Sequence, residues 1–130
     1  MPKYEFSIEV ESSFLPEHSD PEQGHFAFSY TITVHNTGDV AAQLVSRHWV
    51  VEDAQGQMEE IKGLGVVGHQ PLLEPGEAFQ YTSGCHLETP GGPMRGSYFC
   101  VAEDGTRFEV PIPPFELGPG NTGSRAHVLH

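Results

Sequence analysis

Residues 43–83 read QLVSRHWVVEDAQGQMEEIKGLGVVGHQPLLEPGEAFQYTS, and they hold the chain's one tryptophan and its one GxGxxG string. Positions 43–53 have the two-residue period of a strand, Asp53-Ala-Gln-Gly56 has turn chemistry, and 57–62 has the makings of the returning strand. A glycine-rich loop follows, then Pro71 and the turn Glu74-Pro75-Gly76-Glu77. Ala78–Ser83 sets Phe79 and Tyr81 against Gln80 and Thr82. No window carries an apolar helical stripe with a cap. The stretch predicts a β-hairpin with a flanking loop, and the rest of the chain agrees with it.

Working outward, Tyr4, Phe6, Ile8, Val10 and Phe14 alternate with Lys3, Glu5, Glu9 and Glu11, a strand with one wet face. Phe26, Phe28, Tyr30, Ile32 and Val34 alternate with small polar residues over 25–35. Between these strands Pro16–Gly24 has no periodicity and predicts a loop. In 43–53, Leu44 and Val50 are expected on one face, with Val45, Trp49 and Val51 on the other, as in a central strand covered on both sides. Arg47 and Trp49 share a face, so the guanidinium is expected over the indole. Trp49 reads as core, with ligand stacking as the second reading. Residues 94–102 form a further strand, Glu103-Asp104-Gly105 a hairpin turn, and 107–112 the return. Pro111, Pro113 and Pro114 confine that strand to an edge or stop it. With 15 glycines and 11 prolines punctuating short segments, the expected fold is an all-β antiparallel sandwich of seven to eight strands. Residues 1–117 make its single domain, and 118–130 a partly flexible tail whose Val128 and Leu129 are expected to dock.

The formal charge of −12 sets aside whole classes of partner, since phosphate neutralisation by Lys and Arg drives nucleic-acid affinity. Nucleic acid and anionic membranes are therefore not expected partners. The N-terminus goes straight into a strand pattern without a signal-peptide core, so the expected location is cytoplasmic, with Cys85 and Cys100 as free thiols.

The string Gly63-Leu-Gly65-Val-Val-Gly68 matches a dinucleotide fingerprint, but that chemistry needs a helix N-terminus after the glycines. Pro71 and Pro75-Gly76 leave no room for one. Two readings stay open: glycines that permit positive φ or close packing, or a nest of amides taking a small anion beside Lys62 or His69. The candidate ligand loop is thus Arg47, Lys62, Gly63, Gly65, Gly68 and His69. Glu52, Asp53, Glu59 and Glu60 crowd one hairpin, as a weak hard-cation site or a solvated surface. The eight histidines show no zinc-ligand spacing. No nucleophile carries a local signature, and neither catalytic residues nor cofactors are expected.

LLEPGEAFQY resembles the proline–glycine corner of fibronectin type III domains. Longer strings, SRHWVVEDAQGQMEEIKGLGVVGHQPLLEPGEAFQYTSG, ETPGGPMRGSYF, IPPF at 112–115 and the terminal HVLH, resemble the bacterial ApaG (CorD) family along essentially the whole chain. Members commonly carry an acid between the first two glycines, where this chain has Leu64. The resemblance implies an immunoglobulin-like, fibronectin type III-like sandwich without established enzymatic activity. It also implies a role in binding another protein, since a related domain in some eukaryotic F-box proteins looks like a protein-recognition module. The alternative it leaves is a sensor of a phosphorylated nucleotide, pyrophosphate or divalent cation, after the family's genetic links to diadenosine polyphosphates and to cobalt and magnesium. A monomer or weak dimer is expected.

Overall fold

The computed structural model describes residues 3–118 and the backbone of 124–126. Its strands are β1 (Phe6–Phe14), β2 (Phe26–Asn36), β3 (Ala42–Glu52), β4 (Met58–Leu64), β5 (Leu72–Leu73), β6 (Ala78–Leu87), β7 (Gly92–Ala102), β8 (Arg107–Leu117) and β9 (Ser124–Ala126). They form two antiparallel sheets, one in the order β6-β2-β1-β9 and the other β4-β3-β7-β8 with β5 beside β3. The seven long strands are those the sequence predicts, and β5 and β9 are short additions. The loop after β1 holds two short 3-10 turns, Pro16–His18 and Pro21–Gln23.

Alternation on β1 and β2 is read out directly. Phe6, Ile8, Val10, Phe28, Ile32 and Val34 are buried, while Glu5, Glu9 and Glu11 on the other face are exposed. Trp49 is 1% exposed, edge-on to Tyr30 at 5.3 Å and to Phe115 at 6.1 Å, so it joins the two sheets. Truncating so buried an aromatic side chain costs about 3–5 kcal/mol.

β3 departs from simple alternation. Leu44 pairs with Cys100 and Ser46 with Phe99, so Val45 has no opposite number. That bulge shifts the parity by one residue. Leu44 therefore faces the core with Trp49 and Val51, and not with the half-buried Val50. β8 also runs further than its prolines suggest. Met94 pairs with Phe115 and Gly96 with Ile112, which places Pro113 and Pro114 in a bulge on an edge strand. An edge tolerates missing N–H donors, and Phe115 and Leu117 beyond the bulge are buried.

Buried Asn36 fixes the β2–β3 corner. Its Nδ2 donates to the carbonyls of Val40 (3.0 Å) and Leu73 (2.9 Å), and its Oδ1 accepts from the Gly38 amide. β5 is thereby held against β3. The expectation for Val128 and Leu129 lies outside the described residues.

Candidate functional site

The glycine loop is a second, miniature hairpin hung on the end of β4. Val66 and His69 exchange both backbone hydrogen bonds, at 2.8 and 2.9 Å, around Val67 and Gly68. Both central residues have positive φ, 43° at Val67 and 84° at Gly68, the signature of a type I′ turn. Gly68 suits that conformation. Val67 does not, because a β-branched residue in the left-handed region crowds its own backbone, at about 1–2 kcal/mol.

The other two glycines answer to packing. Gly65 has φ 64°, and a Cβ there would meet the His69 carbonyl at 2.3 Å. At Gly63 a Cβ would meet the Arg47 guanidinium at 2.8 Å. Arg47 lies across that gap and its Nη1 donates to the carbonyls of Leu64 (3.1 Å) and Gly65 (2.9 Å). The guanidinium finds those two acceptors and not the face of Trp49; the cation–ring contact among the described residues is Lys3 over Tyr4.

Of the candidate ligand loop, the fold gathers Arg47, Gly63, Gly65 and Gly68. The amides of Gly65, Val66 and His69 already donate to the carbonyls of Val45, His69 and Val66. His69 sets its ring against Phe79, centroids 5.6 Å apart. Lys62 stands opposite His48, one step along the ladder from the Arg47–Gly63 pair and so on the other face of the sheet. Its Nζ is 3.6 Å from Glu60, whose other oxygen is 2.9 Å from His48 Nε2. The hydrogen bond from His48 and then the charge of Lys62 hold the Glu60 carboxyl below its ordinary range. The hairpin acids are likewise divided. Asp53 accepts from the amides of Gln55 and Gln57, Glu52 is 3.9 Å from Arg95, and Glu59 takes the opposite face from Glu60.

Sequence reasoning missed the apolar residues outside the core. Leu64 is 74% exposed, Leu72 59% and Val67 50%. Leu64 pairs with Ser46 and Leu72 with Gln43, while on β7 the half-buried Phe99 and Val101 pair with the same two residues. All four positions share the outer face of the five-stranded sheet, with the Val66–His69 turn at its corner. The available signal was a leucine at each wet position bracketing the glycine loop.

Reactive groups are muted. Burial pushes the Cys85 thiol up to about 11 and the Cys100 thiol up to about 12, and both are free. Neither is a thiolate at neutral pH. The hydroxyls of Tyr81 and Tyr98 bond to each other in the core, and burial raises both pKa values. Among the described residues no three His, Cys, Asp or Glu side chains gather as metal ligands.

Comparison with known proteins matches the ApaG domain family model to residues 16–102. The chain is 58% identical to Protein ApaG of Acidovorax sp. (strain JS42), covering 100% of both chains. It is 61% identical to Protein ApaG of Ralstonia nicotianae over 90% of this chain and 94% of that one. A crystal structure from Bordetella pertussis, named for an ApaA protein, superposes with a TM-score of 0.91 at 50% identity, covering 94% of this chain and 99% of the other. A second X-ray structure superposes with a TM-score of 0.83 at 44% identity, covering 96% of each.

Proposed function

The chain belongs to the ApaG family, and from that premise we propose that it is a non-enzymatic, cytoplasmic protein-binding module built on a fibronectin type III-like sandwich. Its contact surface is the corner formed by Leu64, Val67 and Leu72, and its occupant is the apolar surface of another protein. The observation that carries this reading is Val67: an exposed, apolar, β-branched side chain held at φ 43° on the tip of a tight turn. Asn or Gly would form that turn without strain, and strain kept at an exposed tip points to use of the side chain. Three of the four large exposed apolar residues among those described lie at this corner, and apolar anchors of this kind dominate binding energy at interfaces.

The same geometry gives less support to a phosphate or nucleotide sensor. The loop's amides at Gly65, Val66 and His69 are engaged, Arg47 donates to carbonyls, and Lys62 faces away. A loop in that state offers an anion few counter-charges. Nothing in the arrangement calls for obligate assembly, and the module works as a monomer or weak dimer.

The test is capture of partners from cytoplasmic extract by the full chain and by a Leu64→Ser/Leu72→Ser variant. Both leucines are exposed, so melting temperature should hold while recovery of the partner falls at least tenfold. Equal recovery by the two proteins, or calorimetric binding of ATP or pyrophosphate at micromolar affinity, would overturn the proposal.

A further inference from the structure

The sandwich does not close on its β4 side. β4 ends one sheet and β6 ends the other, so two strand edges lie side by side across the gap between the layers. At one end the miniature hairpin stops that gap. Val66 is fully buried there, and the His69 ring sits on Phe79 of β6. Towards Met58 and Leu87 the gap is open, as a cleft of about 360 Å³ that runs into a second hollow of about 300 Å³. Glu59 and His86 line both, which makes them two parts of one groove.

The floor is apolar, with Val51 in the first hollow and Tyr30, Ile61 and Met94 in the second. The rim is acidic: Asp53, Glu59 and Glu88, with His25 and His86, and neither Lys nor Arg among the lining residues. Glu59 alternates with the outward Glu60 and so points between the sheets. An inward charge on an edge strand ordinarily keeps other strands from pairing with it. Here it does so selectively, because a strand bringing its own cation would remove the obstacle.

We propose that this groove takes an extended segment of a partner protein that pairs with the β4 edge, an apolar side chain on the Val51 floor and an arginine or lysine between Glu59 and Glu88. Charge complementarity selects the occupant. Neutral or acidic strands leave Glu59 without a counter-charge, while the long aliphatic stem of Arg or Lys covers apolar floor with its head at the rim. The groove is separate from the Leu64–Val67–Leu72 corner, so the two proposals fail independently.

The experiment is a heteronuclear NMR titration of the isotope-labelled full chain with three synthetic octapeptides: a Val-Thr-Arg-Thr repeat (Val/Arg), which sets Val and Arg on one face, a Val/Thr alternation, and the Val/Arg peptide with every backbone amide methylated, which has no N–H to donate to a ladder. The Val/Arg peptide should shift the amides of 58–61 and 84–88 and leave the Leu64→Ser/Leu72→Ser variant's affinity unchanged. Val/Thr should not bind. Glu59→Gln should weaken Val/Arg binding about threefold to fivefold, as for a partly exposed ion pair. Equal binding of the N-methylated peptide would show attraction to bulk negative charge only and would overturn the proposal. So would shifts spread over the whole surface, or a Glu59→Gln variant that binds as tightly as the natural chain.

Discussion

Replacing Val67 by asparagine should make the protein more stable and, at the same time, poorer at binding. The turn fixes residue 67 at φ 43° through two backbone hydrogen bonds that do not depend on its side chain. Relief of the left-handed strain is worth about 1–2 kcal/mol, since asparagine is among the residues that adopt this conformation readily. Against it stands the lost burial of a side chain that is 50% exposed, roughly 0.5–1 kcal/mol. The net is a gain of up to about 1.5 kcal/mol, centred on about 0.75 kcal/mol, or roughly 2–5 °C in melting temperature at the centre for a domain of this size. Urea unfolding should show a higher midpoint at unchanged slope, while partner capture falls. A destabilising outcome would mean that Val67 makes contacts outweighing its backbone strain. A stabilised variant that still captures partners fully would refute the idea that the strain serves binding.

Other substitutions probe the parts that hold this corner. Gly65→Ala places a Cβ 2.3 Å from the His69 carbonyl at φ 64° and should cost about 2–4 kcal/mol by chemical denaturation; a loss under 1 kcal/mol would show that the hairpin relaxes freely. The Tyr4 hydroxyl, and after it the Thr106 amide, hold the Asp104 carboxyl down at about 2. The folded value lies below the ordinary 3.8, so any stability linked to it is present above 3.8 and lost as pH falls towards 2. Tyr4→Phe should move the carboxyl back towards 3.8, read by carbon NMR titration; an unmoved value would discount the Tyr4 bond. A chain ending at Gly118 removes β9 from its place along β1 and should melt at lower temperature; an unchanged melt would make that pairing incidental.

The sheets were legible wherever one face is wet. β1 and β2 carry their burial pattern in plain alternation, and the edge position of β8 follows from its prolines. β3 was legible only in part. A bulge has no side-chain signature, so the parity shift at Val45 that moves Leu44 to the side of Trp49 had nothing to announce it. The glycine string was readable as something other than a nucleotide loop, because Pro71 and Pro75 forbid the helix that loop requires. What its glycines do was not readable. The gap at Gly63 serves Arg47, sixteen positions earlier in sequence and directly opposite across the ladder. The same register separates Arg47 from Lys62, a difference of face that hangs on one residue of pairing.

The pairing of Ser124–Ala126 with Val10, Glu11 and Ser12 joins the last described strand to the first. β1 leaves the ribosome well before Ser124–Ala126, and this side of it stays without that neighbour while the intervening strands are made. Nascent chains on one polysome therefore display the same open strand edge to each other throughout that interval. Glu9 and Glu11 lie on that strand, and like charges on neighbouring chains oppose pairing between them. Clipping ahead of Ser124 would return β1 to that state, a strand edge open to the same edge of a second copy.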